Sequence, residues 1–284
     1  MTRPVSIGLA QMGSPPGDAG ANRSATAEAA KLLFDQGAQL VVLPELAVPW
    51  YTVNPEEVDD HAEPLWGPTV DAWAAASADH SGLIVGGFCE RDGGEFFNTA
   101  VVVDQTGVIG HYRKLHLFAD EKMCFTPGDR GLPVVDTQVG RIGLCICYDL
   151  RFVEVVRVLA LSGAELICVP SAWITGFDAQ RWDAGGFCPQ AHGAVLQANL
   201  NQVFIACASQ VGEHSGFEFL GSSVVVDSFG KVVAGPLGGA EDEQHVVDVD
   251  FDDVRRSQIR GSLIHPRDDR RTDVYGVSYD GSIL

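Results

Sequence analysis

The run Gly140-Arg-Ile-Gly-Leu-Cys-Ile-Cys-Tyr-Asp-Leu-Arg-Phe-Val-Glu154 constrains the chain more than any other. Ile142, Leu144 and Ile146 alternate with smaller residues, as a covered strand requires, and from Phe152 to Leu161 apolar residues recur at helical spacing. Cys147 stands at the junction. A thiol there lies at the carboxyl end of a strand, where open α/β sheets hold ligands, and near a helix N-terminus, whose partial positive charge favours thiolate. Taken alone, a cysteine at such a junction is more often a small core residue. The choice between the two depends on what the rest of the chain can bring to it.

Around this segment, strand and helix patterns alternate. Pro4–Gln11 reads as a strand, Ala21–Gln36 as an amphipathic helix ended by Gly37, and Ala38–Leu43 as a continuous apolar strand that stops at Pro44-Glu45. Pro68–His80 reads as a helix and Leu83–Cys89 as a strand. After the cysteine come the helix Phe152–Ser162, the strand Leu166–Pro170, the helix Gln190–Asn201 and the strand Val203–Ser209. This alternation predicts an α/β fold with helices protecting the sheet faces. Val-Val-Val-Asp-x-x-Gly occurs at Val101–Gly107 and again at Val224–Gly230, each time as a hairpin pattern, once on either side of the cysteine segment. An internal repeat of strand-helix halves would give two sheets packed face to face with helices outside.

No linker divides the 284 residues, so residues 1–260 read as one domain ending in a short charged helix over Phe251–Arg260. Residues 261–284 have too little apolar periodicity for a core of their own and are expected to pack as a tail on a partner subunit. The net charge of -19 argues against nucleic acid and anionic membranes as partners. No apolar run is long enough to span a bilayer and the start leads straight into a strand, so a cytoplasmic location is expected. The seven cysteines, mostly within strand-like runs, suit reduced thiols. Cys145 and Cys147 form a C-x-C pair without a second pair to complete a zinc site, so no metal is expected.

Polar residues that dislike burial interrupt the strand pattern at telling places. Glu45 follows Leu40-Val-Val-Leu-Pro44, so its carboxylate projects from the end of an interior strand, where desolvation would make it a competent base; as a plain loop glutamate it would face solvent. Lys114, in Gly110-His-Tyr-Arg-Lys-Leu-His-Leu-Phe118, could stabilise a thiolate or an oxyanion, or simply protect a sheet edge. His116 competes as a base and ranks behind Glu45. Glu121 could orient Lys114, or be a surface acid. Trp173, in Pro170-Ser-Ala-Trp-Ile174, and Trp50 and Tyr51 beyond Glu45 fit either a pocket wall or the core.

Together these segments resemble the nitrilase superfamily of carbon-nitrogen hydrolases. Leu43-Pro-Glu45 is similar to its glutamate motif, Tyr112-Arg-Lys114-Leu-His-Leu-Phe118 to its lysine motif, and Cys147-Tyr-Asp-Leu-Arg-Phe-Val-Glu154 to its cysteine motif. The likeness spans roughly residues 4–250. Val153 departs from the family's usual proline there, which gives up some preorganisation of the first helical turn. The resemblance implies a four-layer α-β-β-α sandwich assembling as a homodimer or larger homo-oligomer. It implies Glu45 as base, Lys114 as cationic partner and Cys147 as nucleophile, with the second glutamate at Glu121 and no cofactor. Cys145, one strand repeat earlier, is the rival nucleophile. Asp149, Arg151 and Glu154 are expected to secure the turn behind Cys147.

The expected reaction is hydrolysis of a small aliphatic carboxamide to acid and ammonia through a cysteine thioester. Tyr148 would contribute a backbone N–H to the oxyanion, and Tyr148, Trp173 and Tyr51 would contact substrate. In this superfamily Tyr-Asp after the cysteine is commoner in amidases and carbamoyl amidohydrolases, and Trp-Glu in nitrilases. N-carbamoyl amine or amino acid hydrolysis therefore comes second and nitrile hydrolysis third. Arg181 could bind a substrate carboxylate or be a surface charge. The alternative from another class is a non-catalytic binding protein of the same fold.

Overall fold

A computed structural model describes residues 2–284. The first half runs β1 (Pro4–Gln11), α1 (Ala19–Asp35), β2 (Leu40–Val42), α2 (Pro55–His61), α3 (Pro68–Ala78), β3 (Leu83–Asp92), β4 (Glu95–Asp104) and β5 (Gly107–Arg113). The second half runs β6 (Val134–Thr137), β7 (Gly140–Leu144), α4 (Val153–Leu161), β8 (Leu166–Ser171), α5 (Pro189–Asn201) and β9 (Phe204–Ser209). It continues with β10 (Val211–His214), β11 (Phe217–Leu220), β12 (Val224–Val226), β13 (Val232–Ala234), β14 (Glu243–Asp250), α6 (Asp252–Gln258), β15 (Ser278–Tyr279) and β16 (Ser282–Ile283).

Two six-stranded sheets result, ordered β14-β1-β2-β3-β4-β5 and β13-β12-β9-β8-β7-β6. Each has three parallel strands at its centre (β1, β2, β3 and β7, β8, β9), followed by an antiparallel hairpin. The two Val-Val-Val-Asp-x-x-Gly stretches form those equivalent hairpins, β4–β5 and β12–β13, so the repeat seen in the sequence is a repeat of architecture. The period-2 rule then sorts side chains by layer. Ile7, Leu9, Leu40, Val42, Val85 and Val102 enter the core shared with Leu144, Val169 and Ile205 of the second sheet. Their neighbours Val41, Ile84, Val101 and Val103 pack instead on Leu33 and Phe34 of α1 and Trp73 of α3. With α4 and α5 covering the second sheet, the layers are α-β-β-α, as expected.

Differences from the expected elements have local causes. Helix α1 starts at Ala19 because the Asp18 side chain caps it, accepting from Ala21 N–H at 2.8 Å. Helix α2 is only 7 residues long, begun by the Asn54 cap and Pro55, too short to show a period. Strand β3 runs past Cys89 to Asp92 because Glu90, which would be costly alone, is held by Thr99, His111 and Arg113. The tail lies across its own chain: Tyr279 OH meets the Leu132 backbone, and Arg267 Nη2 donates to Asn201 O at 2.9 Å. Among the described residues no helix is long and apolar enough to cross a membrane.

Candidate active site

Glu45 sits where the two sheets meet. Past β2 the chain is pinned on one side by Gly87 N–H to Pro44 O (3.1 Å) and on the other by Glu45 N–H to Ser171 O (3.3 Å). Gln210 Nε2 donates to Glu45 O at 2.7 Å. Gly87 is required here, because a Cβ would stand 2.7 Å from Leu46 N and 2.8 Å from Glu45 Cα.

Lys114 follows β5 and points into the same seam. Its Nζ donates to Glu45 Oε1 at 2.6 Å and to Glu121 Oε1 at 2.8 Å, and all three side chains are fully buried. The backbone beside it is equally fixed: Lys114 N–H bonds Asn98 O at 2.9 Å and Gly128 N–H bonds Lys114 O at 2.8 Å. A Cβ on Gly128 would lie 2.0 Å from Arg113 O, so only glycine closes this loop over the lysine.

Glu121 lies in a 3-10 turn, Ala119–Met123. Besides Lys114, its Oε1 accepts from Tyr51 OH at 2.9 Å and its Oε2 from Phe118 N–H at 2.9 Å. Both oxygens therefore serve donors. Glu45 differs: Oε1 accepts from Lys114 and from Asn98 Nδ2 (2.8 Å), while buried Oε2 has no partner among the described residues. A buried carboxylate oxygen with no donor is costly, and this atom is free to accept a proton.

Cys147 opens a 3-10 turn, Cys147–Arg151, and holds φ at +44°, a left-handed conformation rare outside glycine. Asp149 secures the turn: Oδ2 accepts from Ile146 N–H (2.9 Å) and Tyr112 OH (2.7 Å), and Oδ1 from His116 N–H (3.2 Å) with the His116 ring Nδ1 at 2.8 Å. His116 also stacks on Phe152, ring centroids 3.6 Å apart, and so belongs to the scaffold of the turn. Cys147 and Glu121 line one pocket, and the charges of Glu45, Lys114 and Glu121 all reach the sulfur. The pocket is narrow, with about 40 Å³ of free volume. Tyr51, Phe118, Tyr148, Trp173 and Phe177 are among its walls.

The electrostatics run against a free thiolate. Burial pushes the Cys147 thiol well above its usual range and Glu45 adds to this, while Lys114 and the Ala172 N–H oppose it. The helix-terminus argument for a thiolate thus gives way to desolvation. Burial raises the Glu121 carboxyl, opposed by Lys114 and reinforced by Glu45. Burial also works against the Lys114 ammonium, but Glu121 and Glu45 outweigh it and hold the proton firmly.

Other expected residues fall into different places. Cys145 is walled into the core, its thiol raised by burial. Tyr51 and Trp173 are almost fully buried pocket walls, but the Tyr51 hydroxyl is committed to Glu121. Trp50 is not in the pocket wall and donates from Nε1 to Glu57 at 2.8 Å. Arg181 lies in a loop and pairs with Glu218 at 2.5 Å. Arg151 does not stand behind the turn but faces the pocket, paired with Asp178, and Glu154 is exposed. Asn98 was not singled out from the sequence. Its signal was an amide inside Phe96-Phe-Asn-Thr-Ala-Val101, a covered strand that tolerates such a group only with a partner.

Comparison with known proteins agrees with this architecture over nearly the whole chain. The carbon-nitrogen hydrolase family model matches residues 6–258. A nitrilase of Pyrococcus abyssi (strain GE5 / Orsay) is 34% identical over 273 residues, 95% of this chain and 99% of that one. An (R)-stereoselective amidase of Pseudomonas sp. is 32% identical, covering 96% of this chain and 100% of its own length. The crystal structure of an amidase from Nesterenkonia sp. superposes with a TM-score of 0.75 at 29% identity, covering 95% of this chain and 94% of the other. The chain belongs to the carbon-nitrogen hydrolase family and is a hydrolase of carbon-nitrogen bonds.

Proposed function

We propose that the protein hydrolyses small aliphatic carboxamides to the carboxylic acid and ammonia through a thioester on Cys147. The observation that carries this reading is the unpartnered Glu45 Oε2, in a recess where every other carboxylate oxygen already accepts from a donor. Glu45 takes the Cys147 proton as sulfur attacks the amide carbon, and the carbonyl π electrons move onto oxygen. An ammonium has three N–H donors. Two of those on Lys114 hold Glu45 and Glu121, which leaves the third for the oxyanion beside the Tyr148 backbone N–H. The oxyanion collapses, Glu45 returns the proton to the departing nitrogen, and ammonia leaves. Glu45 then activates water, which cleaves the thioester and releases acid and thiol. Glu121 orients Lys114 and has no free oxygen for proton transfer.

The free volume of about 40 Å³ compares with about 10–15 Å³ for one water centre, which suits an acyl group of a few heavy atoms. Tyr148 and Trp173 would flank that group, with Tyr51 behind them. The amidase names among the relatives support an amide over a nitrile, as does Tyr148-Asp149 after the cysteine. We place the enzyme in the cytoplasm as a homodimer or higher homo-oligomer, with residues 261–284 reaching a partner subunit as well as their own chain. The test is ammonia release from a panel of simple amides, N-carbamoyl compounds and nitriles. Turnover confined to nitriles or carbamoyl compounds would displace the amide assignment. No turnover, with Cys147 inert to iodoacetamide, would favour a binding protein.

A further inference from the structure

The pocket has two charged wall residues, Glu121 and Arg151. Glu121 is spent on Lys114, and Lys114 faces the reacting carbonyl, so Arg151 is the charged wall residue left to meet the acyl chain. It sits four residues after Cys147 in the same 3-10 turn. Its guanidinium lies 4.4 Å from the Phe177 ring centroid, and Phe177 in turn packs edge-on against Phe118 (5.5 Å) and Tyr148 (6.0 Å). A planar guanidinium fixed over an aromatic face is well suited to grip a carboxylate. It already grips one, since Arg151 Nη2 donates to Asp178 Oδ2 at 2.7 Å.

That pairing has a consequence for selectivity. An amide whose acyl chain ends in a carboxylate would need to displace Asp178 or lie beside it, against like charge. The net charge of -19 adds long-range repulsion of any anionic substrate. A neutral acyl chain meets mainly the aromatic and aliphatic walls and incurs neither cost. Resting on the amide-hydrolase reading above, we propose that Asp178 is a specificity-determining residue. By occupying Arg151 it restricts the pocket to amides of neutral acyl groups and turns away monoamides of dicarboxylic acids.

The test compares butyramide with succinamate in the wild type and in Asp178→Asn, reading the ratio of their kcat/KM values. The wild type is expected to favour butyramide. In Asp178→Asn the ratio should move toward succinamate by about tenfold, mainly through a lower KM for succinamate. Asp178→Glu should keep the wild-type ratio, and Arg151→Gln added to Asp178→Asn should erase the gain. A wild type that hydrolyses both equally well overturns the inference, whether or not the variant folds. So does an unchanged ratio in folded Asp178→Asn, or the same gain without Arg151. If the wild type turns over no amide, the amide assignment fails first. Protection of Cys147 from iodoacetamide by the two amides, in wild type and Asp178→Asn, then still decides whether Asp178 selects against the anion.

Discussion

Replacing Lys114 with methionine should cost both stability and activity, with a pH signature that separates electrostatics from packing. The ammonium lies 2.6 Å from Glu45 and 2.8 Å from Glu121, with none of the three side chains exposed. Methionine fills nearly the same volume but leaves two neighbouring carboxylates without their cation. Loss of one partner from a buried ion pair costs about 3–5 kcal/mol. At about 2–4 °C per kcal/mol for large domains, a fall in Tm of about 10 °C follows. Burial already holds the Glu121 carboxyl above its ordinary value, with Lys114 opposing and Glu45 reinforcing. Without Lys114 that folded-state value rises further above the unfolded value of about 4.3. The folded variant then binds more protons than the unfolded chain, so its stability falls as pH rises. The Tm deficit should be smaller at about pH 5 than at about pH 8. Near-UV circular dichroism melts at both pH values measure this, and ammonia release should fall about 10²–10³-fold on loss of the oxyanion donor. A Tm unchanged at both pH values, or a deficit equal at both, would refute the reasoning.

Cys147→Ala should keep the fold, because a small side chain at a loop junction removes little packing, and abolish turnover; residual activity near wild type would move the chemistry to Cys145. Glu45→Gln should slow hydrolysis about 10²–10⁴-fold while making Cys147 easier to alkylate at neutral pH. The amide removes the carboxylate charge that helps hold the thiol up, and iodoacetamide labelling against pH reads the shift, which must be downward. Gly128→Ala places a Cβ 2.0 Å from Arg113 O and should cost about 1–3 kcal/mol. It should also lower kcat by displacing Lys114, as urea unfolding and steady-state kinetics will show; a variant with wild-type kcat would mean the loop does not position the lysine.

The layers were legible because their cause is periodic. The alternation of strand and helix patterns and the duplicated Val-Val-Val-Asp-x-x-Gly hairpin each follow from side-chain spacing, which survives in the sequence. Glu45 and Cys147 stand out as candidates because each follows an apolar run at the end of a strand, and Lys114 because of the polar Tyr-Arg-Lys-Leu-His stretch just past a hairpin. What could not be read were relations between distant positions. Nothing near Asn98 says that its amide meets Glu45, and nothing near Arg151 says that it turns to Asp178 and the pocket. The tail's contacts with its own chain have no period to read, since they come from scattered residues such as Tyr279 and Arg267.

The desolvated thiol is better suited to this recess than a thiolate would be. The proposed roles start from both glutamates as carboxylates, Lys114 as ammonium and Cys147 as thiol, one net negative charge in all. Losing the sulfur's proton to solvent in advance would place a second net negative charge beside fully buried side chains, and both burial and Glu45 oppose it. On the proposed roles, attack avoids that state. The proton reaches Glu45 Oε2 while the new charge appears on the substrate oxygen beside Lys114, so the total stays constant and only its position changes. The acid with a free oxygen is the one that must be neutralised, and the acid with none is the one that must stay charged to hold the ammonium in place. On that proposal the different hydrogen bonding of the two glutamates is what gives them different tasks, although both touch the same lysine.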